Sequence, residues 1–170
     1  GIAPGNTGEV FGIFKAYCTR VGSGPFPTEL NDETGELIRK KGSEFGATTG
    51  RPRRCGWLDL PALRYAIMIN GVTKLFMMKS DILSGFKTVR VCSSYKTKGE
   101  VRAEIPFDNS ADIEPVYTEL EGWSEDITGI RQYSELPHNL RKYIRYIEDQ
   151  TGVPLTIVSV GPDRNATIVR

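Results

Sequence analysis

The sequence predicts a mixed α/β (α+β) fold, one mixed sheet with flanking helices, in a single domain over residues 1–170. Short apolar runs of core-strand length, Leu75-Phe76-Met77-Met78 and Leu155-Thr156-Ile157-Val158, are interleaved with stretches of helical periodicity. The clearest such stretch sets Leu140, Ile144 and Ile147 at i, i+4 and i+7. With 170 residues the chain can bury about two-thirds of its unfolded surface, and no repeat or low-complexity segment divides it.

Taken from the N-terminus, residues 1–8 read as a leading loop, because Gly and Pro block regular structure. Val10–Val21 is rich in aromatic and β-branched residues and reads as one strand. A chain that opens on so apolar a strand suggests a piece of a longer protein. Gly22–Pro27 is a loop. Asn31 and Asp32 can cap a short helix over Glu33–Lys41, with Gly42 as its stop. Asp59 and Pro61 open a second helix that carries Leu63, Ala66, Ile67 and Asn70 on one face and ends near Gly71. Thr73–Met78 is a buried strand with Lys79-Ser80-Asp81 at its carboxyl end, where ligands collect in α/β architectures. Lys87–Tyr95 and Val101–Pro106 form a hairpin through Lys96–Glu100, and a further strand, Val116–Leu120, starts just after Pro115. The helix over Pro137–Gln150 is stopped by Gly152 and Pro154, and the strand Leu155–Val158 delivers Ser159-Val160-Gly161-Pro162-Asp163.

Lys+Arg 22 against Asp+Glu 21 leaves a formal charge of +1. Global attraction to nucleic acid or to a membrane surface is therefore not expected, and only local clusters matter. No apolar run approaches a membrane span and no secretory leader is visible. Three widely separated cysteines, Cys18, Cys55 and Cys92, read as reduced, partly buried thiols of a cytoplasmic protein. His138 is the only histidine, which removes multi-histidine zinc mechanisms, and its place after Leu136-Pro137 predicts a surface position.

Chemistry concentrates in three places. Gly46-Ala47-Thr48-Thr49-Gly50-Arg51-Pro52-Arg53-Arg54 holds two hydroxyls, two glycines and three arginines in nine residues, with no acid among them. Glycines let backbone N–H groups approach a ligand, threonines offer hydroxyl donors, and the arginine fork matches carboxylate or phosphate. Such a loop reads either as an anion grip or as a solvated basic loop. At Lys79-Ser80-Asp81, a strand-end carboxylate can accept two parallel hydrogen bonds from the N1–H and 2-amino group of guanine, while the lysine stem covers one face of the base. Adenine offers no such donor pair, and a polar pocket left unsatisfied discriminates by about 10⁴–10⁵. Ser159-Val160-Gly161-Pro162 can present a hydroxyl and backbone groups to a planar ligand. Each of the last two, taken alone, reads first as an ordinary turn.

Together these segments resemble the adenylosuccinate synthetase family, specifically its C-terminal domain. The resemblance runs through Lys15-Ala16-Tyr17-Cys18-Thr19-Arg20-Val21-Gly22, Gly24-Pro25-Phe26-Pro27-Thr28-Glu29-Leu30, Glu44-Phe45-Gly46 and the loop continuing into Cys55-Gly56-Trp57-Leu58-Asp59. It extends through Tyr143-Ile144, Ile147-Glu148 and Thr151-Gly152-Val153-Pro154, covering essentially the whole chain in the family's order. What it implies is a purine-biosynthesis ligase. With magnesium, GTP phosphorylates the 6-oxygen of IMP, and the amine of L-aspartate displaces the phosphate to give adenylosuccinate. Carried over by position, Ala47, Thr48, Thr49, Gly50, Arg51 and Arg53 resemble the loop that holds aspartate. Arg51 would reach towards IMP, Arg53 towards the nucleotide, and Val21 would lie beside the IMP ribose. Lys79, Ser80, Asp81, Ser159, Val160 and Gly161 resemble the guanine pocket. Pro52 stands where many family members carry a basic residue.

The family's catalytic aspartate, its histidine acid and its glycine-rich phosphate loop belong to an N-terminal region, and this chain contains no Gly-x-x-x-x-Gly-Lys motif. The resemblance thus places no catalytic residue and no metal ligand in this chain and implies that residues 1–170 alone are inactive. It also implies a homodimer for the complete enzyme, with no nucleic-acid or membrane partner. The alternative reading is a stand-alone anion- or nucleotide-binding module. Nucleic-acid binding through Arg51, Arg53 and Arg54 has no aromatic stacking series beside it.

Overall fold

The structure is a computed structural model that describes residue 1, residue 6, residues 8–106 and residues 112–170. The leading loop expected over residues 1–8 falls largely on residues 2–5 and 7, which lie outside the described residues. The elements follow in the order β1 (Phe11–Lys15), β2 (Cys18–Arg20), α1 (Glu33–Lys41), β3 (Arg54–Gly56), β4 (Leu58–Asp59), α2 (Leu60–Asn70), β5 (Lys74–Met78), β6 (Thr88–Thr97), β7 (Glu100–Arg102), β8 (Ile113–Glu121), α3 (His138–Thr151), β9 (Leu155–Ser159) and β10 (Thr167–Val169). Among them, a 3₁₀ turn over Ser80–Leu83 follows β5.

The mixed α/β class holds, but the strands form three sheets rather than one. The first has the order β1-β5-β9-β10, with β1, β5 and β9 parallel and β10 antiparallel at the edge. In the second, β6 pairs antiparallel with β8 along its length and, on its other side, parallel with β4 and then antiparallel with β7. A two-stranded ribbon joins β2 to β3.

The single strand expected over Val10–Val21 is where the sequence reading fails, because Ala16 and Tyr17 bend out of the first sheet. The N–H of Ala16 donates to the carbonyl of Met78 (2.9 Å), and the carbonyl of Ala16 accepts from the Tyr143 hydroxyl (2.7 Å). Both residues are buried there, so the apolar run continues while the strand does not. Pro115, expected to precede a strand, lies inside β8. An edge strand has no partner awaiting the proline nitrogen, so the residue is tolerated. The hairpin expected after Lys87 exists, with a short second arm, and β8 is the long partner of β6.

The helices obey the local rules. Asp32 accepts from the N–H of Gly35 (3.0 Å) at the start of α1, whose first turn carries Glu33 and Glu36 and whose last turn carries Arg39, Lys40 and Lys41. Asp59 accepts from Ala62 N–H (3.0 Å) at the start of α2, and Gly71 closes that helix in the left-handed region (φ 60°). α3 packs against α2, β8 and β9, and its buried Leu140, Tyr143, Ile144 and Ile147 lie in one continuous core with Leu75, Met77, Trp123 and Val158. The three thiols are free. Desolvation pushes Cys18 and Cys92 up to about 12 and also raises Cys55, so none is a ready nucleophile.

Asp59 ties the two sheets' surroundings together, since it also accepts from the buried Tyr95 hydroxyl (2.5 Å). Asp59→Ala removes a helix cap and orphans that hydroxyl. We expect it to lower the unfolding free energy by about 2–4 kcal/mol in urea titrations; a loss below about 1 kcal/mol would contradict this role.

Candidate functional site

Because β1, β5 and β9 run parallel, their carboxyl ends fall on one edge of the first sheet. That edge receives Lys15, the Lys79-Ser80-Asp81 turn and Ser159-Val160-Gly161. Ser80 is buried, and its hydroxyl donates to the carbonyl of Ser159 (2.6 Å), which locks two of the predicted segments to each other. The Ser159 hydroxyl turns onward to the carbonyl of Gly161 (3.0 Å), and Val160 N–H donates to Ala166.

Glu44 is the centre of the edge, and sequence reasoning did not single it out. It follows α1 and is wholly buried, yet its carboxylate is surrounded by donors. Oε1 accepts from Lys15 Nζ (2.8 Å), Tyr17 hydroxyl (2.6 Å) and Lys79 Nζ (3.0 Å). Oε2 accepts from Lys15 Nζ (2.9 Å) and from the Arg53 guanidinium (2.8 Å). Burial pushes the carboxyl up, but hydrogen bonds from Lys15, Tyr17, Lys79 and Arg53 outweigh it and hold Glu44 at about 2. Tyr17 responds in the opposite sense: desolvation, and then its bond to Glu44, push its hydroxyl far above the ordinary value. Gly42 has no room for a side chain here, since a Cβ would meet the Tyr17 hydroxyl at 2.3 Å. Only glycine lets α1 end against this cluster. The one signal in the sequence was Glu44 itself, a lone acid two residues before a loop rich in cations.

The arginine loop is a narrow hairpin. Gly46 N–H donates to Arg51 carbonyl (2.8 Å), Gly50 N–H to Gly46 carbonyl (2.8 Å), and Arg53 N–H to Glu44 carbonyl (2.9 Å). Gly50 sits at φ 65°, a conformation that favours glycine. Val21, Thr49, Arg51 and Arg53 line one cleft of about 640 Å³, together with Arg20 and Arg54. Ala47, Thr48 and Gly50 stand exposed on the loop tip, outside that lining. The arginines differ in what they can still do. Arg54 is spent on Glu29 and on the carbonyls of Gly22 (3.1 Å) and Gly24 (2.9 Å), so it braces the loop. Arg53 rests on Glu44. Among the described residues, Arg51 and Arg20 pair with no carboxylate. Arg20 is thus a cleft cation that the loop-centred reading missed.

The second half of the edge is organised around Asp81. Lys79 adopts a left-handed conformation (φ 61°) and sends its ammonium to the Gly42 carbonyl (2.6 Å) and Glu44, leaving its alkyl stem along the turn. Desolvation pushes the half-buried Asp81 carboxyl up, against the pull of its own backbone N–H and then of Lys79 and Lys41. Among the described residues this carboxylate forms no ion pair. The cleft that Arg51 lines is not lined by Asp81 or Ser159. The arginine cleft and the Asp81–Ser159 end are neighbouring sites that meet at Glu44, through Arg53 on one oxygen and Lys79 on the other. No group of three or more His, Cys, Asp or Glu side chains among the described residues is arranged to hold a metal ion.

Parallel strand ends presenting cations around one buried carboxylate define an α/β protein with a densely charged carboxyl edge. Comparison with known proteins sharpens this. The family model described as adenylosuccinate synthetase matches residues 1–168, and the chain belongs to that family. A protein named adenylosuccinate synthetase from Christiangramia forsetii is 60% identical over 171 residues, covering 100% of this chain and 40% of that protein. Its namesake from Parabacteroides distasonis is 59% identical over 170 residues, with the same coverage of 100% and 40%. A solved structure, the fully ligated adenylosuccinate synthetase from Plasmodium falciparum, superposes with a TM-score of 0.95 at 42% identity, over 100% of this chain and 42% of that one. The chain therefore spans about 40% of the length of the relatives it matches. No described helix is long and apolar enough to cross a membrane.

The buried carboxylate makes stability depend on pH in a definite direction. Glu44 loses its proton more readily folded than unfolded, so its contribution is present above its ordinary range and fades as pH falls towards about 2. Between pH 5 and pH 3 we expect the unfolding free energy to drop by roughly 2 kcal/mol more in the wild type than in Glu44→Gln. Parallel pH slopes for the two proteins would refute this.

Proposed function

We propose that the chain is the C-terminal portion of a GTP-dependent ligase that joins IMP and L-aspartate into adenylosuccinate, on the route to AMP. Membership of the family supports this reading over a stand-alone binding module. The observation that carries it is the shared carboxylate: Glu44 couples the loop proposed for aspartate to the strand end proposed for guanine.

In this reading the arginine cleft takes the dicarboxylate. Arg51, unpaired and exposed, binds one carboxylate and reaches towards IMP, while the tip residues Ala47, Thr48, Thr49 and Gly50 supply hydroxyl and N–H donors to the other. Val21, exposed on the cleft wall, lies against the IMP ribose. Arg53, held by Glu44, stands at the boundary and contacts the nucleotide. Asp81 accepts the two donors on the guanine edge. A half-buried carboxylate without an ionic partner gains more from such a donor pair than one already neutralised. The Lys79 stem covers the base, and Ser80, Ser159, Val160 and Gly161 close the pocket. The role of this chain is thus to bind and orient. Fixed donors around a substrate remove much of the entropic cost of bringing reactants together.

Magnesium is implied with the nucleotide phosphates, but the described side chains offer it no cluster, so no step runs through it here. General acid, general base and phosphate loop are assigned to the remaining part of the enzyme, and residues 1–170 are proposed to be inactive alone. The complete enzyme is proposed to be a cytoplasmic homodimer.

Two substitutions in the complete enzyme test the assignment. Asp81→Asn should lower kcat/KM for GTP by at least about 100-fold and shift preference towards a xanthine base, whose 2-oxo group accepts from the new amide. Unchanged base selectivity would remove Asp81 from the pocket. Arg51→Ala should raise the KM for aspartate about 10- to 100-fold, as expected for loss of a charge-assisted bond of roughly 1.5–3 kcal/mol; an unaltered KM would remove Arg51 from the aspartate site.

A further inference from the structure

α3 is amphipathic, and the face it turns away from the core is not an ordinary solvated surface. Tyr133, His138, Arg141, Lys142 and Arg145 line a pocket of about 280 Å³ that contains no acidic residue. The four helical members fall at i, i+3, i+4 and i+7, a single stripe opposite the buried Leu140, Tyr143, Ile144 and Ile147. None of the ion pairs among the described residues involves Arg141, Lys142 or Arg145. The Nε of Arg141 is moreover shut off from solvent with no hydrogen-bond partner. An orphaned charged donor is costly.

This arrangement works against the helix that carries it. Arg141 and Arg145 stand at i, i+4, where like charges destabilise. Arg141 lies in the first turn of α3, where the macrodipole disfavours a cation, and the N-cap residue Pro137 supplies no side-chain acceptor. α1 shows the opposite and favourable pattern, acids first and bases last. In a chain whose formal charge is only +1, the stripe is a local concentration rather than a general excess. The Tyr133 wall is held in place by Arg170, whose guanidinium lies 4.1 Å from the ring centroid and pairs with Glu148 at 2.6 Å.

We propose that this pocket binds a phosphoryl anion carrying two or more negative charges, as inorganic diphosphate or as the diphosphate group of a nucleotide. Three permanent cations answer that charge. The cavity is of a size for the phosphates, while a base has to lie outside them or against Tyr133.

Calorimetric titration of the 170-residue chain with sodium diphosphate, and separately with ADP, tests the proposal. We expect saturable binding that weakens at least tenfold in a Lys142→Ala, Arg145→Gln double variant and persists in Arg51→Ala. Both replaced α3 residues are exposed, so the fold does not depend on them. Equal affinities for diphosphate and ADP assign recognition to the phosphates alone; ADP binding at least tenfold tighter assigns the nucleotide as the source. No saturable binding of either probe would overturn the proposal. So would binding that survives the double variant but disappears in Arg51→Ala, because the anion would then sit in the arginine cleft.

Discussion

A single buried carboxylate organises the carboxyl edge of this molecule. Glu44 has no exposed surface, yet it is surrounded by two lysines, an arginine and a tyrosine from three separate stretches of chain. Moving such a charge out of water costs several kcal/mol, and only a nearly complete set of donors offsets that cost. The set comes from the end of β1, the bend after it, the arginine loop and the turn after β5. Each of those segments therefore has to be in place for the carboxylate to be buried at all. Conversely, the carboxylate fixes where each of them points.

This clarifies the division of labour among the cations. Lys15, Lys79 and Arg53 are committed to Glu44, and Arg54 to Glu29. Arg51 and Arg20 keep their charge for something else. The structure thus separates a cationic scaffold from a cationic surface, a distinction that residue type alone never reveals. Arg53 belongs to both groups, since it rests on Glu44 and also lines the cleft, and the proposed function gives it contacts on either side.

Much of the fold was legible in the sequence where the cause is local. α1 matches its expected span because Asp32 and Gly42 act within one turn, and β5, α3 and β9 agree to within a residue or so because their apolar periodicity is strong. Sheet membership was not legible. Val10–Val21 is continuous in composition, but the bend at Ala16-Tyr17 is enforced by Met78, Tyr143 and Glu44, all distant in sequence. The short strands β3, β4 and β10 escaped for the same reason, since two or three residues carry no period. At the candidate site, the loop and the two strand ends stood out by their residue types. Glu44 was passed over because an isolated glutamate beside a helix end looks like any solvated acid. Its burial depends on Lys15, Lys79 and Arg53 converging from elsewhere.

The most direct test of this account is a ¹³C titration of the Glu44 side-chain carboxyl in the folded chain. The four-donor cluster requires a midpoint held at about 2. A midpoint near the ordinary glutamate value of about 4.3 would mean that the donors do not converge on Glu44, and the link between the arginine cleft and the Asp81 strand end would be lost with it.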